Sequence, residues 1–314
     1  MSRHFRFSLQ AFGVSTRQEW IDLAKKAEDI GCSMLVTADH LDQLWSPLPP
    51  LITAAEHTSL RVGVMVLNND LRHPAMLARE AAVIDLLTDG RLELGLGAGH
   101  GFPEYERIGL PFDPPPVRID RLDESVQILR RLLDGETVHF DGVHYQLAGE
   151  TTYPRPVQAH VPLIVGGGGN RVLSLAARRA DIVGFAGAGR TKEDGKTHEV
   201  TGFPAKAVDR QVALVRQEVA EAGRPMPELQ ALVQAAVVTD DPRGTAATLI
   251  ERFQVDLTVD EILETPYLMV GTAEGLVDKL LAAAERWGFS HYTIRPETLD
   301  GLKPVIAQLA GREC

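Results

Sequence analysis

Cysteine is almost missing from this chain: the 314 residues hold two, Cys32 and Cys314. Two thiols make neither a disulfide framework nor a zinc cluster. No run approaches the ~20 apolar residues that a membrane-spanning helix needs. The opening MSRHFRF has no apolar core of the kind a secretory signal carries. Positive charge is also in deficit, with 32 Lys and Arg against 43 Asp and Glu and a formal charge of −11. That balance argues against a nucleic-acid or anionic-membrane partner, since both bind clustered Lys and Arg. No low-complexity linker divides the chain, and its 44% apolar and 24% charged residues are ordinary for a globular protein with a large core. The expectation is one cytoplasmic domain over residues 1–314.

What the chain does have is alternation. Apolar runs at residues 5–12, 34–37, 60–66, 92–96, 162–165, 182–185, 229–238 and 291–294 read as strands, with helical periodicity between them. Thr16 and Glu19 have capping-box spacing, Trp20, Leu23, Ala24 and Ala27 then share one helical face, and Gly31 is the stop. Pro74 opens a helix lined by Leu77, Ala81, Ile84 and Leu87, and Thr272 is a fitting N-cap for a helix over 273–287. Asp141-Gly142 lies between alternating runs in residues 138–147, the pattern of an inserted β-hairpin. A polar stretch over 187–202 interrupts the rhythm later. Eight strands alternating with helices predict a (β/α)8 TIM barrel with an inserted β-hairpin and loop segments. A doubly wound sheet is the alternative topology.

A barrel carries its site at the carboxyl ends of its strands. The residues just past the runs are Asp39-His40, Asn68-Asn69-Asp70, the Gly97-Ala98-Gly99-His100 turn, and Gly166, Gly167, Gly168 and Gly169. Each also has a plain structural reading. Asp39 can cap the next helix, His40 can be a loop histidine, and Gly97, Gly99 and Gly101 can serve a tight turn. They are not a dinucleotide fingerprint, because the third glycine would fall at His100 or Phe102. The run of four glycines between a strand and a helix either exposes N–H groups as an anion site or makes a flexible turn. Gly195-Lys196-Thr197 has the tail of a phosphate loop, but its first glycine, Gly189, is one residue too far away. The first strand offers no paired histidines in Leu9-Gln10-Ala11-Phe12, and the ten histidines are scattered, so no metal is expected.

Several of these stretches together carry a resemblance. The run Asp39-His40 to Trp45, the segment "LRVGVMVL…RHPAMLAREAAVIDLLTDGRLELGLGAG", the "PLIVGGGGN" turn and the late "YLMVGTAEGLVDKLLAAAERWGFSHYTI" are similar, in this order, to the bacterial luciferase-like superfamily. Within it, the Asp-His pair followed by Trp most resembles the branch that binds the deazaflavin coenzyme F420. The resemblance implies a (β/α)8 barrel, a homodimer in many members, and a flavin or deazaflavin at the carboxyl end.

It also implies roles. His40 manages the proton that accompanies hydride transfer. Asp39 hydrogen-bonds the ring system or fixes the local backbone, and Trp45 walls the substrate pocket. Gly166, Gly167, Gly168 and Gly169 take the phosphodiester of the cofactor tail, while Asn68, Gly97 and Gly99 let backbone approach the ring. Met65 and Val66 supply a non-proline cis peptide behind it. Sugar-phosphate dehydrogenases of this branch carry a glutamate after the glycine turn, where this chain has His100. That departure favours reduction of a C=C or C=N bond in a small metabolite over sugar-phosphate oxidation, although Lys192 and Lys196 leave a sugar phosphate open. Two other functions stay in view: an FMN-dependent monooxygenase fed by a separate reductase, and a non-catalytic flavin-binding barrel. A storage protein needs no proton donor at the ring, so the Asp39-His40 pair argues against the last.

Overall fold

The computed structural model describes residues 3–42, 45–187, 189, 191, 199–253 and 255–314. Lys192, Lys196 and the Gly195-Lys196-Thr197 stretch lie outside the described residues.

In chain order the first half runs β1 (Arg6–Gln10), α1 (Arg17–Ile30), β2 (Met34–Thr37), α2 (Pro49–His57), β3 (Arg61–Asn68), α3 (Pro74–Leu87), β4 (Leu92–Gly97), α4 (Phe102–Ile108) and α5 (Pro115–Leu133). The hairpin strands β5 (Val138–Asp141) and β6 (Gln146–Glu150) follow, then β7 (Leu163–Gly167), α6 (Asn170–Arg179), β8 (Ile182–Phe185) and α7 (Ala205–Glu221). The chain ends with β9 (Glu228–Leu232), β10 (Ala235–Val238), α8 (Pro242–Phe253), α9 (Val259–Glu264), β11 (Leu268–Gly271), α10 (Ala273–Trp287), β12 (Phe289–Ile294) and α11 (Leu299–Leu309).

Local chemistry sets these bounds. Thr16 accepts from the Glu19 N–H at the head of α1, and Gly31 ends it at φ 104°, a left-handed conformation that a side chain would strain. Thr272 caps α10 in the same way, by accepting from Gly275 N–H. The indole of Trp20 is buried between helices, where its N–H donates to the Pro50 carbonyl at 2.9 Å and fixes α1 on α2.

Eight parallel strands close into a barrel in the order β1-β12-β9-β8-β7-β4-β3-β2. Closure is made by β12 on β1, with Arg6 opposite His291 and Leu9 opposite Ile294. Strands β2 and β8 are buried along their whole length, as covered parallel strands must be. The amino end of the barrel is plugged by charge: Glu93, 1% exposed, takes Arg6 at 2.9 Å and Arg61 at 2.5 Å. Above that plug the interior holds Met34, Val36, Met65, Ile164 and Ile182 beside buried Ser8, Gln230, His291 and Thr293. At the carboxyl end His40, Val66 and Gly166 keep partial exposure.

The apolar run over 229–238, read from the sequence as one strand, is two. Val233 N–H still bonds Thr293 in β12, but Gln234 N–H turns away to Tyr267. The chain therefore leaves the barrel, and β10 pairs with β11 in a separate two-stranded sheet. Both halves are apolar, which hides the break, although β10 is only partly buried. Helix α4 and strand β11 are elements the sequence reading did not give.

Candidate active site

Asp39, just past β2 and 6% exposed, is committed to protein partners. Its Oδ2 accepts from the Asn68 backbone N–H at 3.0 Å and from Arg72 at 2.5 Å. The carboxylate thus pins the end of β2 to the end of β3 and keeps Arg72 neutralised. Asn68 is similarly turned inward: its Oδ1 accepts from the Asp70 N–H at 3.1 Å and the Tyr105 hydroxyl at 2.9 Å.

His40 is held differently. Its Nδ1 lies 2.8 Å from Glu104 Oε1 on α4, and the second Glu104 oxygen accepts from the Leu41 N–H at 3.0 Å. A carboxylate only accepts, so Nδ1 carries the hydrogen and Nε2 is the nitrogen left to act. The His100 ring stands edge-on to His40, centroids 5.2 Å apart. Sequence reasoning brought forward both histidines and missed Glu104, which is 7% exposed. The signal was present: Pro103 at an early helical position and Gly109 as a left-handed stop mark α4.

The floor of the mouth is a bulge. The Met65-Val66 peptide is cis, and the β3–β4 register shifts between Val64 and Leu67. Gln10 donates to the Met65 carbonyl. The bulge gives the glycines around it a packing role. A Cβ on Gly97 would fall 2.6 Å from Val66 Cγ2, and one on Gly166 would fall 3.0 Å from Val66 Cγ1. Gly99, at φ 72°, leaves room for the Tyr105 hydroxyl. Without these side chains Val66 settles across the barrel top as a partly exposed apolar surface.

The four-glycine run sits where β7 passes into α6. Gly169 is the N-cap of α6 and has no side chain to accept from the first-turn N–H groups. Gln211 donates to the Gly168 carbonyl at 3.0 Å and sets that peptide's orientation. A Cβ on Gly167 would strike Val172 Cγ1 at 2.7 Å, whereas one on Gly169 would meet nothing within 4 Å. The open space above Gly169 and the N–H groups beneath it fit an anionic group. Trp45 packs its ring on Gly13 and lies 5.5 Å from the Trp20 centroid. The structure thus joins His40 with His100, and Met65 and Val66 with Gly97 and Gly166, but sets Trp45 beside the β1 loop. Among the described residues no group of three His, Cys, Asp or Glu could hold a metal ion.

Comparison with known proteins agrees with this architecture. A family model described as luciferase-like monooxygenase matches residues 6–256. An F420-dependent glucose-6-phosphate dehydrogenase of Nakamurella multipartita is 32% identical over 252 residues, 77% of this chain and 69% of that one. One from Nocardia farcinica is 29% identical over 298 residues, 90% of this chain and 82% of its own. Among solved structures, an F420-dependent secondary alcohol dehydrogenase in complex with an F420-acetone adduct superposes with a TM-score of 0.76 at 19% identity, covering 98% of this chain and 99% of that one. That likeness speaks for the fold. With the barrel closed, the bulge at Met65-Val66 in place and the family model spanning most of the sequence, this chain belongs to the luciferase-like monooxygenase family.

Proposed function

We propose that the chain is a deazaflavin-dependent oxidoreductase, one domain over residues 1–314, passing a hydride between reduced coenzyme F420 and a C=C or C=N bond of a small organic metabolite. The observation that carries this reading is the His40–Glu104 pair, at 2.8 Å, placed at the carboxyl end of the barrel with the Val66 surface. The names of the relatives support the choice of cofactor. F420, when bound, supplies a two-electron hydride carrier.

The chain's own residues supply the rest. Val66 offers an apolar wall for a flat ring, and the N-terminus of α6 at Gly169 accepts the phosphodiester of the tail. His40, with Nδ1 anchored on Glu104, presents Nε2 to take or give the proton that accompanies the hydride. His100, where a glutamate would add a carboxylate, adds a second imidazole beside it. The reading includes a cytoplasmic homodimer, with the exposed Met76, Val83 and Leu87 of α3 covered by a second copy; light scattering should return twice the chain mass.

A second reading, an FMN-dependent monooxygenase, is favoured by the family model's own description. The direction of the reaction is tested anaerobically. Reduced F420 should be oxidised by activated enones or imines in a small panel, and oxidised F420 should not be reduced by glucose 6-phosphate. Reduction at an enzymatic rate with glucose 6-phosphate would show that His100 can stand in for the glutamate and would overturn the assignment.

A further inference from the structure

Arg295 is the residue just past β12, two positions on from Thr293, whose hydroxyl accepts from Gln230 inside the barrel. Strand alternation continues that inward face to residue 295. The guanidinium lies 4.7 Å from the centroid of the Phe12 ring, two residues past the neighbouring strand β1. It forms no ion pair and donates no side-chain hydrogen bond to any described residue. Burial pulls the group's pKa down, and the exposed Glu297 carboxylate, two residues on, opposes that pull.

Five other described arginines at this end of the barrel have partners. Arg72 is neutralised by Asp39 and Arg121 by Asp70. Arg107 pairs with Asp42 and Arg171 with Asp120. Arg118 donates to the Ala98 and Asp113 carbonyls. A half-buried cation with a ring beneath it and no anion is incomplete on its own, because its burial is not offset by a partner.

From these observations we infer that Arg295 is the subsite for an anionic group of the substrate, a carboxylate or a phosphoryl group, bound in the plane of the guanidinium with Phe12 behind it. This rests on the proposed function only in placing the substrate at the barrel mouth. Strand order separates the subsite from the cofactor tail. The strands β12, β1 and β2 are consecutive neighbours, so Arg295 stands about 10 Å from the His40 strand, the reach of a substrate of several carbons. The α6 N-terminus follows β7, which β9 and β8 separate from β12. A planar fork with five donors suits either anion bidentately.

The test is a titration of the protein's tryptophan fluorescence, with and without bound F420, by inorganic phosphate and by acetate at constant ionic strength. Saturable binding of one is expected, phosphate marking a phosphoryl substrate and acetate a carboxylate. Arg295→Met should weaken it about 10-fold or more, Arg295→Lys less, and F420 affinity should stay unchanged in both, which also reports that the variants fold. Equal anion affinity in Arg295→Met, no saturable binding by the wild-type chain, or loss of F420 affinity in both variants would each overturn the subsite. A wild-type chain that binds an anion through Arg295 but no F420 would contradict the proposed function and leave the subsite standing.

Discussion

Replacing Gly169 with Asp should move stability and cofactor affinity in opposite directions. Gly169 is the N-cap of α6, at φ −83° and ψ 146°, a conformation that any residue adopts, and a Cβ there meets no atom within 4 Å. Asp is among the best N-caps and adds a negative charge at the positive end of a helix dipole, together worth about 0.5–1 kcal/mol. The melting temperature should rise by about 1–3 °C. The same carboxylate occupies the place assigned to the phosphodiester. Two unit charges about 5 Å apart at an effective dielectric of about 20 repel by about 3 kcal/mol, so F420 should bind about 100-fold more weakly. Gly169→Ala is the control: it adds bulk into open space without charge, and its affinity should stay within about 3-fold of wild type. Fluorescence titration of F420 and a thermal melt give both readouts. A Gly169→Asp protein that melts higher and binds F420 as the wild type does would refute the assignment of the tail to this helix.

Three further outcomes follow from the geometry. His40→Ala should slow turnover of the acceptor found in the panel by about 10²–10⁴-fold and Glu104→Gln by about 10–100-fold; the double variant should be no slower than His40→Ala alone, and multiplying effects would show that Glu104 does not act through His40. Gly97→Ala should cost about 1–3 kcal/mol in urea unfolding, because its Cβ meets the stiff Val66 at 2.6 Å, and much of that cost should vanish in a Val66→Ala background; an equal cost in both would clear Val66. Lys279 donates to the Leu268 carbonyl at 2.6 Å, and burial pulls its ammonium from 10.5 down to about 7, against a weaker upward pull from Glu264. The unfolded chain then binds the extra proton between those values, so this group makes stability rise with pH from about 7 upward, by up to about 1.4 kcal/mol per unit. Lys279→Met should flatten that rise between neutral pH and pH ~9, and parallel curves would contradict it.

Elements bounded by local chemistry were legible in the sequence. Residues 34–37, 182–185 and 273–287 are elements with the bounds their apolar runs and caps predict, because a cap or a short apolar run is decided within a few residues. The break at Gln234 was not legible, since it depends on a hydrogen bond to Tyr267. Pro103 and Gly109 marked α4, but the role of Glu104 was hidden for a related reason: its partner His40 lies 64 residues away. The glycines were found at the mouth, but the packing reason for Gly97 and Gly166 is Val66, which no spacing rule reveals. The cis Met65-Val66 peptide was expected only through resemblance to a family.

The identity of the cofactor decides between the two readings. The direct measurement is equilibrium binding of F420 and of FMN to the purified chain, each oxidised and reduced, followed by fluorescence under anaerobic conditions. F420 should bind at micromolar concentration or tighter, and FMN more weakly by about 10-fold or more. FMN binding as tightly as F420, or more so, would contradict the deazaflavin reading and move the chain to the monooxygenase reading.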